Sequence, residues 1–443
     1  MTTQENLDMT HTEIVDVAGI GFGPSNLALA IALEEFNAER APSDRLAAKF
    51  VESKEQFGWH PGMLLPGTTM QVSFLKDLAT QRNVRSRYSF LNYLAEMRRL
   101  PDFINHQTFF PTRYEFQDYL AWAARTVDAD VVYGTRAESI EIAGDHFEIL
   151  LGGQRSGVLR ARNVIVATGL AQRLPDGVTG SRRVFHNHRF LDHLANMPEP
   201  THQNFVVLGA GQSAAEVVSY LHSNYPNASV HAVFAKYGYS PSDDSPYANR
   251  IFDSTAVDDF HASSPEFRRR LMNYHRGTNY SAVDLPLIED LYAREYDERV
   301  RGERRLFMHG ASSAIAVDES ADGVAVTVVH EPTGLTEELV CDAVVCATGF
   351  NPMDLHATLG NLADVVVTDE HGPRVARDYR LVTTTPLPGG IFLQGGTEHT
   401  HGISSSLLSN VAIRSGEIVR SVARDQQRQP APAGDSTDRV RTG

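Results

Sequence analysis

The sequence predicts an α/β protein of two doubly wound, Rossmann-like dinucleotide-binding domains, the second inserted in the first, with a small and mainly helical region besides. Three observations carry this. A short apolar run, Ile14 to Ala18, passes at once into Gly19-Ile20-Gly21-Phe22-Gly23-Pro24-Ser25-Asn26 and then into a helix-forming stretch from Leu27 to Glu35. The same theme recurs at Phe205 to Leu208, followed by Gly209-Ala210-Gly211-Gln212-Ser213-Ala214-Ala215-Glu216. Two further apolar runs end on the same turn, Ala167-Thr168-Gly169 and Ala347-Thr348-Gly349. Strand, glycine turn and helix in that order is the context in which a glycine fingerprint signifies a dinucleotide.

In the first module Gly19 permits the tight turn and Gly21 lets the backbone approach a pyrophosphate. The following helix start offers free N–H groups and the positive end of its dipole. Pro24 stands where the third glycine usually does, and proline suits a first helical turn because its missing N–H has no partner there anyway. Ala47 to Glu52 predicts a second strand ending in an acid, so Glu52 is placed to accept hydrogen bonds from an adenosine ribose. In the second module the strand Ser229 to Phe234 is followed by Ala235-Lys236 and no acid. That favours the extra phosphate of NADP over NAD, with Lys236 either its partner or a plain surface lysine. The doubling implies that one module holds a flavin dinucleotide and the other a nicotinamide that comes and goes. The expected boundaries are 14–198 and 341–423 for the first domain, and 199–340 for the second, including an insert at about 237–304 that is helical in its latter half. Residues 1–13 and 424–443 are expected to be disordered, being polar or rich in Gln, Pro and Ala.

Between these modules the chain gives further local signals. Arg85 to Leu100 predicts one helix with Tyr88, Leu91, Leu94 and Met97 on a common face. Thr112 and Glu115 are spaced as a capping box opening another. Arg113 beside them is either a phosphate contact or a solvated helix-end cation. Val131 to Leu151 alternates as strands do.

Bulk properties narrow the partners. The 443 residues are 42% apolar, enough for a sizeable core. A net charge of -15 argues against nucleic acid or an anionic membrane. There is no apolar run of the roughly 18–20 residues a bilayer span needs, and residues 1–13 lack a signal-peptide core. The 18 histidines show no compact metal spacing, and no metal is expected. Cys341 and Cys346 form neither a disulfide framework nor a C-x-x-C pair, which fits a reducing cytoplasm.

Trp59 to Thr80 fits neither helix nor solvated loop. Pro61, Gly62, Pro66 and Gly67 break it early, yet it is apolar and aromatic and carries Lys76 beside Asp77. Such a segment is suited to line a small-molecule pocket. Gly395 to Ser409 is a second glycine-rich entry to a helix, suited to a flavin or substrate group, or simply capped by Ser404 or Ser405.

Taken together, Gly21 to Leu27, Trp59 to Leu65, Met70 to Thr80, Gly209 to Glu216, Ala347 to Phe350 and Thr400 to Ser404 resemble the flavin-dependent N-hydroxylating monooxygenases of siderophore biosynthesis, most nearly the L-ornithine N-hydroxylases. The pieces run in family order over about residues 14–420. The resemblance implies FAD in the first module, held by Gly19, Gly21, Gly23, Pro24, Ser25, Asn26 and Glu52, with Trp59, His60, Met70 and Gln71 near its ring. It implies NADPH in the second, held by Gly209, Gly211, Gln212, Ser213, Lys236 and Ser242, and O2 as co-substrate. Lys76 then holds the carboxylate of the amino-acid substrate and Asn249 its backbone groups. Asn279 holds nicotinamide and substrate near the flavin and, with Gln71, counts as catalytic. Ser404 or Ser406 lies near the side-chain amine. His60 is either wall packing or a polar contact. A homo-oligomer, dimer or tetramer, is a family expectation.

The implied chemistry passes through a flavin C(4a)-hydroperoxide whose distal oxygen is attacked by a neutral amine. Free alkylammonium has a pKa of about 10, so activity is expected to rise toward mildly alkaline pH. Rival readings are L-lysine or a diamine as substrate, and an NADPH oxidase or redox sensor that hydroxylates no amine. One methylene is worth only about 1–3 kcal/mol in a pocket, so sequence separates ornithine from lysine weakly. A sulfur- or ketone-oxygenating flavoprotein is disfavoured because Arg183 to His188 poorly matches its linker motif. A disulfide reductase would need paired cysteines.

Overall fold

The computed structural model describes residues 9–197 and 203–428. Its first sheet has seven strands. Asp130–Val132, Ala48–Val51, Met9–Ile20, Gly157–Val166, His146–Gly153 and Thr135–Ala143 lie side by side in that order, and Ile391–Leu393 also pairs with Gly157–Val166. Val17 lies opposite both Ala48 and Asn163 in parallel pairings, whereas the hairpin through residues 135–153 is antiparallel. Val164, Ile165 and Val166 are fully buried, as expected of a parallel strand covered on both faces.

The second sheet is wholly parallel and runs Leu306–His309, Ser229–Val233, Asn204–Leu208, Ala343–Cys346, Val184–His186. This displaces the expected boundaries. Val184–His186 falls before residue 199 and Ala343–Cys346 after residue 340, yet both belong to the second sheet. Ala347-Thr348-Gly349 therefore closes a second-sheet strand, as Ala167-Thr168-Gly169 closes one in the first. The chain re-enters the first sheet at Ile391–Leu393. A short buried run has no periodicity that records which sheet it joins. A three-stranded antiparallel sheet, Ser312–Glu319, Val324–His330 and Leu335–Cys341, packs beside the second sheet through Val324, Val326 and Val328.

Three expectations need correction. The helix expected over residues 85–100 is two shorter ones, Phe90–Glu96 and Leu100–His106. Ser89 caps the first by accepting the Asn92 N–H, and Pro101 enters the first turn of the second. The buried face is Phe90, Tyr93 and Leu94, while Leu91 and Met97 are exposed. At the N-terminus, Met9–Ile20 is one strand, so residues 9–13 are ordered. At the other end Val411–Arg428 is one helix that continues past residue 424, where Asp425 pairs with Arg380. Residues 1–8 and 429–443 lie outside the described residues.

The capping box is present: Thr112 Oγ1 accepts the Glu115 N–H at the start of Arg113–Thr126. That helix packs Phe116, Tyr119 and Trp122 against Phe90 and Tyr93 in an aromatic layer over the first sheet. The region between the modules is helical at Ser254–Ala262, Pro265–His275 and Leu285–Arg301. Trp59 to Thr80 stays irregular, with a single 3₁₀ turn at Pro61–Met63 and one bridge, Thr69 to Thr112.

Candidate active site

Both glycine turns are built alike. Gly21 has φ +85°, and a Cβ there would lie 2.5 Å from the Ala167 carbonyl oxygen. Gly209 has φ +140°, with a Cβ 2.3 Å from the Ala347 carbonyl oxygen. Each glycine thus lets one strand end close on the neighbouring A-T-G turn, whose glycines, Gly169 and Gly349, also take positive φ. The helices that follow, Pro24–Ala38 and Gln212–Asn224, begin with no side-chain cap and no acid in the first turn. Their first N–H groups are therefore available to an anion. A Cβ on Gly23 would meet nothing within 4 Å, which leaves the backbone open to a close ligand.

The two turns open on one cavity of about 2830 Å³. A single ligand pocket is typically about 300–1,000 Å³, so this one has room for two dinucleotides and a small substrate. Gly21, Gly23, Pro24, Ser25 and Glu52 line it from the first sheet, and Gly209, Gly211, Gln212, Ser213 and Ser242 from the second. Trp59, His60, Met70, Gln71 and Lys76 line it from the irregular segment, with Asn249 and Asn279 facing from the insert.

Four predicted contacts stand elsewhere. Gly19 is packed beneath the turn, where a Cβ would meet the Phe50 ring at 2.2 Å. Asn26 is fully buried and donates to the Gly21 carbonyl at 2.7 Å, so it holds the turn's shape from behind. Lys236 does not line the cavity; its Nζ donates to the Ser281 carbonyl at 2.7 Å. Ser404 is buried and accepts from Asn410 Nδ2 at 2.9 Å, whereas Ser406 faces the cavity and accepts the Gly396 N–H. Spacing alone did not separate two serines two positions apart on a 3₁₀ turn.

Glu52 sits directly after Ala48–Val51 with its carboxylate accepting the N–H groups of Phe22 at 2.7 Å and Lys54 at 2.9 Å. It joins the first turn to the second strand while facing the cavity. Lys76 and Asp77 point to opposite sides. The Asp77 carboxylate is buried and accepts from Ala79 N, Thr80 N, Thr80 Oγ1 and Phe90 N. Lys76 Nζ lies 5.5 Å from the Phe252 ring centroid and, among the described residues, pairs with no carboxylate within 4 Å. Burial lowers its pKa, partly offset by Asp253. Lys76 is therefore a partly desolvated cation facing a cavity, suited to receive an anion.

His60 takes a left-handed backbone, φ 48°, and its Nδ1 meets His188 Nδ1 at 3.1 Å. Its side chain stays solvent-accessible at the cavity wall, while desolvation by the surrounding wall first, then the neighbouring His188 and Arg113, pushes its pKa down to about 3. It is thus a neutral polar contact as well as wall, stacked edge-on with Trp59. Tyr280, next to Asn279, donates its hydroxyl to Glu398, whose pKa burial raises.

Sequence reasoning missed a polar chain joining the two domains. Arg113, expected to meet either phosphate or water, instead pairs with buried Glu216 of the second domain at 2.8 Å. Glu216 bonds Gln212, Gln212 bonds Asp284, and Asp284 accepts from Gln71. The one available signal was the spacing of Gln212 and Glu216, four apart on a helix and so on one face.

Two Rossmann-like sheets whose glycine turns share a cavity with the polar side chains of Lys76, Asn249 and Asn279 define a two-dinucleotide oxidoreductase. The chain belongs to the L-lysine 6-monooxygenase/L-ornithine 5-monooxygenase family, whose pattern it matches over residues 13–352. It is 39% identical over 415 residues to the L-ornithine N(5)-monooxygenase of Burkholderia cepacia, covering 89% of this chain and 91% of that one. Among solved structures it is similar to the ornithine N-hydroxylase of Kutzneria sp. 744, described with reduced FAD, NADP+ and L-ornithine. The TM-score is 0.89 at 45% identity, covering 94% of this chain and all of that one. The L-lysine 6-monooxygenase of Pseudomonas syringae gives a TM-score of 0.80 at 32% identity, covering 93% and 99%. Among the described residues no helix is long and apolar enough to cross a membrane, and no group of three or more His, Cys, Asp or Glu is placed to hold a metal.

Proposed function

We propose that this protein N-hydroxylates the side-chain amine of L-ornithine, using FAD, NADPH and O2, for a hydroxamate siderophore or related product. The observation that carries it is the placing of Lys76, a cation with no carboxylate within 4 Å among the described residues, in the same cavity as both glycine turns. The stoichiometry is one amine, one O2, NADPH and a proton giving one hydroxylamine, water and NADP+.

Gly21 and Gly23 with the first turn of Pro24–Ala38 hold the flavin pyrophosphate, and Glu52 faces its ribose. Gly209, Gly211 and Ser213 hold the pyrophosphate of NADPH against Gln212–Asn224. A flavin held there would take up the reducing equivalents of NADPH and activate O2, from which the transferred oxygen atom comes. The protein's own groups bind, orient and exclude water. Lys76 draws in the substrate carboxylate, and Asn249 fixes the α-amino end; its Nδ2 already donates to the Asp244 carbonyl, which leaves the amide oxygen to accept. Ser406 lies toward the far end, where the side-chain amine would reach. Met70 and Gln71 form the wall between the two sites. Asn279 lies beside the Tyr280–Glu398 contact, which joins the insert to the first domain across the cavity and narrows access for water. Lys76 favours an amino acid over a diamine, because a diamine brings no carboxylate to a desolvated cation. The likeness to the Kutzneria enzyme favours ornithine.

We place the enzyme in the reducing cytoplasm, which suits the buried free thiols of Cys341 and Cys346, and expect a homo-oligomer. The test is to follow NADPH oxidation and hydroxylamine formation with ornithine, lysine, putrescine and cadaverine. Hydroxylated ornithine formed in preference to the other three is expected. NADPH consumed to peroxide with no hydroxylated amine from any of them would refute the assignment.

A further inference from the structure

The polar chain between the domains has a direction. Arg113 opens a helix of the first domain, and its guanidinium contacts both oxygens of Glu216, Nη1 to Oε2 at 2.8 Å and Nη2 to Oε1 at 2.9 Å. Both side chains are mostly buried, 16% and 3% exposed. Glu216 Oε1 also accepts from Gln212 Nε2 at 3.0 Å, and the same amide reaches Asp284 Oδ2 at 3.1 Å. Gln212 Oε1 accepts the Asp284 N–H at 2.8 Å, so its side chain is held at both ends. Asp284 Oδ1 then accepts from Gln71 Nε2 at 3.4 Å. The chain starts on the first domain, crosses to the second, and returns to the first at the segment that carries Lys76.

Its members do not share one role. Gln212 is the first residue of its helix, directly after Gly211, and Gln71 belongs to the wall between the two binding turns. Glu216 lies one helical turn below Gln212, at the edge of the same cavity, and accepts from its amide. A buried ion pair contributes little to stability on balance, because desolvation offsets the Coulomb attraction. What the contact supplies is geometry: Arg113 Nη2 hydrogen-bonds Oε1 while Nη1 lies against Oε2 as an ion pair, and the planar guanidinium limits the carboxylate's orientation.

We propose that Glu216 is a positioning residue: braced by Arg113, it fixes Gln212 and through Asp284 also Gln71, and so sets the second glycine turn at one distance and angle from the flavin wall. The proposal rests on assigning NADPH to the second turn. Two cofactors held by different domains would exchange hydride only when aligned, and a small error in alignment would slow transfer steeply. Loosening the brace is therefore expected to weaken productive NADPH binding, while the flavin pyrophosphate seat at Gly21 and Gly23 and the Lys76 side chain keep their own contacts.

The experiment compares the wild-type holoenzyme with Glu216→Gln and with the exchanged pair Arg113→Glu/Glu216→Arg. Stopped-flow reduction of bound flavin by NADPH gives the limiting rate and apparent Kd, and steady-state assays give both KM values and the fraction of NADPH recovered as hydroxylamine. For Glu216→Gln the expected result is an apparent Kd for NADPH about tenfold higher and a lower product yield per NADPH. Flavin content per chain and KM for ornithine should change less than twofold. The exchanged pair is expected to recover at least a third of the lost NADPH affinity. Unchanged NADPH parameters in Glu216→Gln, or a uniform loss of flavin, ornithine and NADPH binding together, would overturn the proposal. Should that variant yield no holoenzyme, Arg113→Lys keeps the buried charge paired but removes the planar fork that braces Glu216. It must then show the same selective rise in Kd, and an unchanged Kd refutes the brace. Flavin reduction is measured before any amine reacts, so wild-type protein that reduces its flavin but hydroxylates nothing would sink the ornithine assignment and leave the brace tested.

Discussion

The Cα of Gly21 faces the Ala167 carbonyl so closely that a methyl group on it would come within 2.5 Å of the oxygen. Gly209 repeats the relation with Ala347 at 2.3 Å, and both glycines take φ values foreign to other residues. A left-handed conformation costs alanine about 1–2 kcal/mol before any clash, and here the clash is with backbone, which has little freedom to yield. Gly21→Ala should therefore lose bound flavin, read from visible absorbance per chain. Gly209→Ala should keep its flavin but lose NADPH-dependent reduction, while dithionite still bleaches it. Equal flavin loss in both would show that the modules do not divide the cofactors in this way.

Lys76 is proposed to meet only the amino acid. A hydrogen bond to a charged group contributes about 1.5–3 kcal/mol. At about 1.4 kcal/mol per tenfold, Lys76→Ala is expected to raise KM for ornithine by about 10- to 100-fold. KM for NADPH and flavin content should hold within about twofold. An unchanged ornithine KM would refute the anchor.

Asp77, one residue on, should behave in the opposite way. Its oxygens accept four hydrogen bonds, from Ala79, Thr80 twice and Phe90, and tie the irregular segment to the helix that begins at Phe90. Asp77→Asn turns one acceptor into a donor facing two donors, at a cost of about 1–3 kcal/mol for groups left unsatisfied. A lower denaturant midpoint is expected, measured by tryptophan fluorescence, with the ornithine KM of the folded fraction changing far less than in Lys76→Ala. Stability equal to wild type would show that the Asp77 turn contributes nothing to the segment.

That contrast marks how far the sequence was readable. Glycine turns, the Thr112 cap and the strands of both modules are local events written in adjacent residues, and they stand where the pattern places them. So does the irregular course of Trp59 to Thr80, because prolines and glycines act locally. What the pattern did not carry is non-local. Val184–His186 and Ala343–Cys346 are apolar runs like any other until parallel pairing puts them in the second sheet. Arg113 resembles a solvated or phosphate-binding cation because Glu216 lies 103 residues away. Ser404 and Ser406 have the same local chemistry, and Lys76 and Asp77 are adjacent in the chain; only packing turns one of each pair to the cavity and the other to the interior.

The pH profile joins the site's two ionisations with opposite signs. The side-chain amine reacts only when neutral, and its pKa of about 10 makes the rate rise with pH from neutrality. Lys76 holds the substrate carboxylate only when charged, and burial lowers its pKa from the ordinary lysine value, against a smaller opposing effect of Asp253. A lowered lysine pKa means the charge, and with it substrate binding, is lost as pH rises and at a lower pH than for a lysine in water. The expected kcat/KM for ornithine is therefore a bell, with a rising limb from the substrate and a falling limb from Lys76. Lys76→Arg separates the two, since arginine keeps its charge to above pH 12. Its ornithine KM should be higher at pH 8, because a planar fork replaces a compact ammonium, but flat from pH 8 to 10 where that of the wild type climbs. A wild-type KM that is itself flat over this range, or a falling limb identical in the two proteins, would remove Lys76 from the titration and with it the proposed anchor.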